Sequence, residues 1–452
     1  MSQTASSSVL PAVPTSVRWQ IVGLLVAYSF MTWFNRVSIQ VAYDVQISQN
    51  SQYGITDTQA GLISSVFLWA YTVCMTPGGW LIDRIGPWAA LFLMGFGSAV
   101  FGALTAIGGH PALVSAGLMF SALLVIRALM GVVTAPVYPA SSRLVSHWMP
   151  LSQRRLGNGF VQGAAAVGIS CTFPVFGWLT DQVGWQLGFV ITGSLTALLA
   201  LLWTVHATDL PRQHRLVNDA ERHWIEAGNP PAPPRHDHGP WWTLLRNRSL
   251  ILLTISYAAI GYVEYLFFFW VHHYFKKIRK VGDDESRIYA AIVLLAMAVG
   301  MIAGGAIADW TRRTIRGRWG TALIPLIALS AAAVLVILGL LAEQTTLVVL
   351  WLSLALAAVG ATEAPVWTMA VELGGPRGGT AAGICNTGGN ALGAVAPYFT
   401  PLMSGWILVL FDVSEKESWQ WAISLGSAAA ISGAVLWFWI TPPETHTASR
   451  AA

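Results

Sequence analysis

Long apolar stretches, separated by short polar segments, run through almost the whole chain of 452 residues. A helix needs about 20 apolar residues to cross the hydrocarbon core of a bilayer, and the pattern predicts about twelve such helices. Six lie on each side of a polar break that starts at Asp209 and ends near Arg246. The predicted spans are 19–43, 58–82, 87–109, 113–138, 156–180, 184–207, 248–274, 286–310, 319–342, 346–371, 379–409 and 418–441. The sequence therefore predicts an all-α membrane protein built from two six-helix bundles.

The spans divide the chain into five predicted segments. They are a disordered N-terminal tail (1–17), a first bundle (18–208), a cytosolic linker (209–246), a second bundle (247–442) and a C-terminal tail (443–452). Within the linker, Asn218 followed by Glu221 is typical of a helix cap and its reciprocal partner. This pair predicts a short helix that lies on the membrane surface. The proline-rich stretch 229–240 is typical of a stiff spacer.

Composition agrees with the membrane assignment, because only 10% of the residues are charged, against about 25% in soluble domains. The basic residues between the spans lie mostly on one side, which the positive-inside rule makes cytosolic together with both termini. This placement argues against nucleic-acid binding. One basic loop, from Lys276 to Arg287, falls on the other side. It is interpreted either as a solvated loop face or as an entry funnel for anions. The three cysteines form no CxxC pair, so neither a disulfide framework nor a zinc site is indicated. We expect no metal and no cofactor.

Two short motifs occur twice, in equivalent spans and in the same order. "GGWLIDRIG" (78–86) follows the second span and "GGAIADWTRR" (304–313) follows the eighth, so that Asp83 corresponds to Asp309. "TAPVY" (134–138) in the fourth span matches "EAPVW" (363–367) in the tenth. Two ordered matches indicate an internal repeat.

The repeated loop motif and the six-plus-six layout resemble the major facilitator superfamily over essentially the whole chain. More narrowly, "VFLWAYTVCMTPGGWLIDRIG", "RALMGVVTAPVYPASSRLVSHWMP" and "HRLVNDAERHWI" resemble its anion:cation symporter branch. That branch holds hexuronate, galactonate and glucarate permeases, sialin and the vesicular glutamate transporters. The resemblance implies a monomeric carrier in the inner or plasma membrane that works by alternating access. Its expected substrate is a small organic anion, above all a sugar acid such as a hexuronate or an aldonate.

Four charged residues fall deep inside the spans: Arg36, Arg127, Glu264 and Glu363. Such residues are costly in a bilayer and indicate function, although an internal ion pair that fixes packing is the alternative. The guanidinium of Arg36 stays charged and its fork matches a carboxylate, and relatives place a substrate-binding arginine at this point. The predicted substrate-binding residues are Arg36, Trp33, Tyr71, Arg127, Gln162, Tyr262, Asn386 and Asn390. Each polar member could instead serve an interhelical hydrogen bond.

Both usual proton-coupling carboxylates of the branch are missing. Proton-coupled relatives tend to have Asp where this chain has Asn35, and Glu where it has Thr134. Glu363, the repeat equivalent of Thr134, and Glu264 are therefore the candidates for coupling in a proton symporter. An uncoupled facilitator or an anion exchanger is the alternative. A transporter-like sensor and a membrane enzyme are further alternatives, but no GxSxG, HExxH or Walker motif points to an enzyme.

The resemblance also predicts a gate, because the loop Asp of the superfamily pairs with an Arg at the cytosolic end of the fourth helix. Arg143 stands at that position, and its repeat equivalent is Glu372, which we expect to meet Arg312 or Arg313. The predicted gating residues are Asp83, Arg84, Arg143, Asp309 and Glu372.

Overall fold

The structure, a computed structural model, describes residues 13–55, 57–227, 240–315 and 317–443, and every regular element in these ranges is a helix. The first half contains α1 (Val17–Ala42), α2 (Asp57–Ile85), α3 (Pro87–Leu104), α4 (Pro111–Ser115), α5 (Met119–Thr134), α6 (Val137–Trp148), α7 (Arg154–Val183) and α8 (Trp185–His206). Most of the predicted spacer, and all but a few residues of the two predicted tails, lie outside the described residues.

The second half repeats this layout after the short linker helix α9 (Asp219–Glu226). Its helices are α10 (Arg248–His273), α11 (Asp283–Thr314), α12 (Trp319–Leu341), α13 (Thr345–Gly360), α14 (Glu363–Gly374), α15 (Gly378–Gly393), α16 (Ala396–Phe411) and α17 (Glu415–Leu436). One helix or a pair of consecutive helices fills each of the twelve predicted spans, so the all-helical membrane fold is confirmed.

The fourth and tenth spans are broken at the repeated motif. Helix α5 ends at Thr134 and α6 resumes after Pro136, while α13 ends at Gly360 and α14 begins at Glu363, two residues before Pro365. Proline lacks the N–H that would continue the helical ladder and its ring collides with the preceding turn. The fourth span consequently runs from Met119 to Trp148, and its predicted end at 138 was wrong.

Within the described residues, eight helices or continuous helix pairs are long and apolar enough to cross a membrane, or nine with the pair bent by 42° before Pro174. Helix α1 is not among them, although it spans 26 residues. Its polar residues Ser29, Asn35 and Ser38 are fully buried inside the protein. A low mean hydropathy of α1 thus reflects an interior helix rather than a helix outside the membrane.

The two halves contact each other mainly along two helix pairs, α2 with α15 and α7 with α11, and α6 and α14 also take part in the interface. The backbones approach closely, since a Cβ on Gly79 would overlap the carbonyl oxygen of Gly379, and a Cβ on Gly305 would overlap that of Arg155. Small residues allow such contact between membrane helices. We call the end at which α2 and α11 finish, and α7 and α15 begin, the basic end. The halves are closed against each other there.

Helix α9 fastens the linker to the first half. The side chain of Asn218 accepts a hydrogen bond from the N–H of Glu221, which is the predicted cap. The Glu221 carboxylate, however, accepts from the N–H groups of Val17 and Arg18 and pairs with the Arg18 guanidinium at 2.7 Å. Glu221 and Ile225 are both buried. This face of α9 therefore meets protein, and Glu221 caps α1 instead of returning to its own helix.

Candidate functional site

Arg36 lies on α1 with its half-buried guanidinium surrounded by aromatic rings. The guanidinium carbon lies 4.2 Å from the ring centroid of Trp33, 5.1 Å from that of Phe67 and 5.2 Å from that of Tyr71. Ring faces attract a cation without using its hydrogen-bond donors. No carboxylate of the described residues forms a salt bridge with Arg36. This cage can therefore bind an anion through N–H groups that the protein leaves available.

A hydrogen-bond chain connects Arg36 to the second half. Its Nη2 donates to the Tyr265 hydroxyl at 3.4 Å, which donates to Asn390 Oδ1 at 2.7 Å, and Asn390 Nδ2 donates to Asn386 Oδ1 at 2.9 Å. The two asparagines share one face of α15, as their spacing of four indicated. Sequence reasoning missed Tyr265, whose only signal was its position one turn after Tyr262. The chain places polar groups of both halves beside one cation.

The indole N–H of Trp33 donates to the hydroxyl of Tyr138, which also lies 3.2 Å from the Ser29 hydroxyl. The Tyr138 ring packs on Trp367, with ring centroids 5.7 Å apart. Tyr138 and Trp367 are the last residues of the two repeated motifs, "TAPVY" and "EAPVW". The repeat equivalents thus meet where the halves face each other, a contact that the motif could have indicated.

Arg127 is almost completely buried, with 1% of its surface exposed. Its guanidinium donates to the backbone carbonyls of Asn35, at 3.2 Å, and of Arg36, at 2.6 Å. It also lies 5.0 Å from the ring centroid of Phe67. These contacts hold the turn of α1 that carries Arg36, so Arg127 orients the cage. Its guanidinium also adds a second positive charge next to the cage.

Asn35 and Thr134, at the positions where the resemblance leads us to expect coupling carboxylates, form ordinary hydrogen bonds between or within helices. Asn35 Nδ2 donates to the Thr196 hydroxyl at 2.9 Å, and the Thr134 hydroxyl donates to the Met130 carbonyl at 2.8 Å. Both side chains are buried. Neither group can ionise, so neither can carry a proton.

Glu264 on α10 and Glu363 on α14 lie side by side, with their carboxyl groups within hydrogen-bonding distance of each other. Glu363 Oε2 also accepts from the Tyr257 hydroxyl at 3.1 Å and from the Trp367 indole N–H at 3.0 Å. Trp367 packs on Tyr138, and Tyr138 binds Trp33. The rings of Trp367 and Tyr138 therefore lie between the pair and the cage around Arg36.

Two predicted pocket residues do not enter the contacts described above. Gln162 is buried on α7, and Tyr262 is directed toward Thr400 on α16. The structure brings Trp33, Tyr71 and Arg36 together, but it places Tyr262 on another side of α10.

The predicted gate lies at the basic end, where Asp83 and Arg143 are close enough to attract each other, although Asp83 forms its hydrogen bonds with other groups. Its carboxylate accepts from the N–H of Gly379 at 2.9 Å, the N–H of Thr380 at 2.8 Å and the Thr380 hydroxyl at 2.5 Å. Free N–H groups at a helix N-terminus attract an anion. Asp83 of the first half therefore caps α15 of the second.

Arg143 makes the reciprocal contact to the other side of the same loop. It donates to the carbonyls of Gly375, at 2.7 Å, and of Pro376, at 2.9 Å, just beyond the end of α14. Arg84 is exposed and lies over the ring of Trp80 at 4.0 Å. Arg143 thus joins the halves, whereas the contact of Arg84 stays within α2.

Asp309 repeats the arrangement of Asp83 with the halves exchanged. It accepts from the N–H of Arg155 at 3.3 Å and of Leu156 at 2.9 Å, and pairs with the Arg155 guanidinium at 3.6 Å. It therefore caps α7. Each half thus contributes one aspartate, which accepts hydrogen bonds from the N-terminus of a helix in the other half.

Glu372 meets Arg312 at 2.6 Å and lies 4.0 Å from Arg154 of the first half. Arg313, the other partner considered from the sequence, donates to the carbonyl of Ser152 instead. In the basic loop at the opposite end, Arg279 donates to the carbonyls of Ala342 and Glu343. That arginine is engaged with the end of α12.

The Major Facilitator Superfamily profile matches residues 22–397. The chain is 29% identical over 448 residues to the probable galactarate/D-glucarate transporter of Bacillus subtilis, covering 97% of this chain and 95% of that one. It is 26% identical to the probable sulfoacetate transporter of Cupriavidus necator, covering 84% and 86%. It is 28% identical to the D-galactonate transporter of Escherichia coli O6:H1, covering 57% and 60%.

Solved structures agree on the fold. The proton:xylose symporter superposes with a TM-score of 0.70 at 13% identity, covering 94% of this chain and 96% of that one. The fucose:proton symporter of E. coli gives a TM-score of 0.64 at 15% identity, covering 93% and 99%. The family profile covers more than half of the chain, and the relatives are those of the anion:cation symporter branch. The chain belongs to the Major Facilitator Superfamily, as a membrane transporter and not an enzyme.

Proposed function

We propose that this protein is a secondary transporter that binds a small organic anion at Arg36 and moves it across the membrane by alternating access. The observation that carries the proposal is the cage itself. Arg36 is a permanent cation between the halves, held by three aromatic rings and lacking a carboxylate partner among the described residues. Even a half-buried cation is costly without a counter-ion, and a carboxylate substrate would supply that counter-ion through a bidentate contact.

A sugar acid such as a hexuronate or an aldonate fits the surroundings of the cage. Its carboxylate would bind Arg36, while its hydroxyl groups would face Tyr265, Asn386 and Asn390, which together offer donors and acceptors. The sugar-acid and sulfoacetate transporters among the relatives support an anionic substrate.

In the proposed topology the protein lies in the inner membrane of the cell, and its basic end faces the cytosol. The start of α1 contacts Glu221, and the N–H of Thr441 donates to the Ser249 hydroxyl at the start of α10, so both ends of the described chain lie at this face. The bundles 18–208 and 247–442 would move against each other around the linker 209–246, in a monomer. With the basic end closed, the present state is not open to the cytosol, and the caps formed by Asp83 and Asp309 act as the gate.

Proton symport is the proposed mode of coupling, with Glu264 and Glu363 as the ionisable groups near the anion site. The specific observation in favour of the alternative, an uncoupled facilitator or exchanger, is that Asn35 and Thr134 occupy the usual coupling positions as neutral, hydrogen-bonded side chains. The two modes differ in whether a proton gradient drives accumulation.

Counterflow in proteoliposomes tests the proposal. Vesicles containing the purified protein are loaded with unlabelled D-glucarate, galactarate or D-galactonate and diluted into the same labelled anion. We expect labelled anion to accumulate transiently, because a carrier exchanges solute across the membrane unchanged. Absence of counterflow with every organic anion of a wider sugar-acid panel would contradict the proposal, since a sensor binds such anions without moving them.

A further inference from the structure

Two carboxyl groups from different helices meet in the interior of the second half. Glu264 is 8% exposed and Glu363 is 2% exposed, and their side chains lie within hydrogen-bonding distance. Glu363 is the first residue of α14, directly after the break at Ala361 and Thr362. A movement of α14 about that break would therefore change the exposure of the pair.

The oxygen atoms of the pair show where a proton is needed. The donors Tyr257 and Trp367 both bind Oε2 of Glu363, whereas Oε1 of Glu264 and Oε1 of Glu363 are buried and accept no hydrogen bond from any donor group of the described residues. A buried acceptor left without a donor is costly. Two unprotonated carboxylates in contact would add their mutual repulsion to that cost. One shared proton removes both penalties.

Within the part of the chain that the structure describes, no nearby cation offers a substitute for that proton. Among the described residues, neither glutamate forms a salt bridge. The other titratable groups that face the pair are the Tyr257 hydroxyl on α10 and the Cys385 thiol on α15. Arg127, a buried cation of the first half, donates to the backbone carbonyls of α1.

The pair is also connected to the anion site by direct contacts. The Trp367 indole, which donates to Glu363, packs on Tyr138 with ring centroids 5.7 Å apart. Tyr138 accepts from the indole N–H of Trp33, and Trp33 lies under the Arg36 guanidinium at 4.2 Å. This series of contacts leads from the second half to the first. A movement of the glutamate pair would therefore displace Trp33, one of the rings of the cage.

We infer that Glu264 and Glu363 form a single proton site that carries one proton with each anion bound at Arg36, in place of the missing carboxylates of the first half. Loading forms one O–H bond with a proton taken from water on the outer side, and release breaks that bond on the inner side, with no redox change. The inference rests on the proposed anion transport.

The test uses proteoliposomes with the membrane potential clamped at zero and an inward proton gradient of one pH unit. The probe is whichever of D-glucarate, galactarate and D-galactonate gives wild-type counterflow. One proton per anion then supports about tenfold accumulation. We expect Glu363→Gln, Glu264→Gln and the double variant to accumulate none, the double variant behaving like either single one, while counterflow continues. Glu343→Gln, which makes the same change at an exposed carboxyl group, should accumulate like the wild type.

Each outcome bears on a different claim. Full gradient-driven accumulation by either single variant, or wild-type counterflow that ignores the proton gradient, would overturn the shared proton site and leave anion transport standing. Absence of counterflow would overturn the proposed function itself. Infrared spectroscopy of the purified wild type at neutral pH provides a readout that does not need transport. The C=O band of a protonated carboxyl group should be present and should be lost in the double variant; its persistence there would contradict the inference.

Discussion

Replacing Arg36 with lysine tests whether geometry or charge alone makes the anion site. The substitution keeps the positive charge but removes the planar fork, and an ammonium is not equivalent to a guanidinium at a bidentate site. It also removes the Nη2 that donates to Tyr265. We therefore expect Arg36→Lys to lose most of its transport although its net charge is unchanged.

The structure suggests the size of the effect. Losing one of two charge-assisted hydrogen bonds costs about 1.5–3 kcal/mol. The ring of Trp33, 4.2 Å from the guanidinium, still attracts a lysine ammonium, so that stacking is only partly lost. A net cost of about 2 kcal/mol corresponds to an affinity about thirtyfold weaker.

Binding is measured by titration calorimetry on the purified protein, and transport by counterflow at matched protein levels. Arg318→Lys is the matched control, because Arg318 also lies over a tryptophan, 4.7 Å from the ring of Trp319, but away from the site. Near-normal affinity and uptake of every accepted anion by Arg36→Lys would refute the bidentate role.

Three further substitutions test the gate and the linker. Asp83→Asn removes the charge that caps α15, a contribution of about 1–2 kcal/mol, and should shift the population about tenfold toward the inward-facing state, as measured by the labelling of single cysteines at each end. Gly79→Ala should shift it in the same direction by separating α2 from α15, whereas Gly23→Ala, with nothing within 4 Å of its new Cβ, should not. Glu221→Ala leaves Arg18 buried without its partner, at a cost of about 3 kcal/mol, and should lower the apparent unfolding temperature while transport per folded molecule persists.

Specific results would contradict these expectations. Unchanged cysteine accessibility in Asp83→Asn would show that the cap does not hold the basic end closed. Equal accessibility in the two glycine variants would mean that the α2–α15 contact does not determine the state. An unaltered unfolding temperature in Glu221→Ala would show that α9 contributes nothing to the stability of α1.

Local patterns were enough to predict several parts of the site. Arg36 stood out because a cation inside an apolar span is costly. Trp33 and Arg36 share a face because they are three residues apart on a helix, and the same reasoning placed Asn386 with Asn390. The repeated motif identified Glu363 as the repeat equivalent of Thr134. Each of these inferences needs only the period of a helix or the cost of burying a charge.

Partners that are distant in the chain could not be found in this way. The contact of Glu264 with Glu363 joins two helices, and Tyr265 differs from Tyr262 only in the side of α10 on which it lies. Asp83 was expected to pair with an arginine, and Arg143 does lie close enough to attract it. Its carboxylate also caps the N-terminus of α15, which the sequence did not indicate because a cap supplied by a distant helix has no local pattern. The pattern of apolar stretches predicted the twelve spans and their order, whereas only the packing of one half against the other decided which polar groups meet.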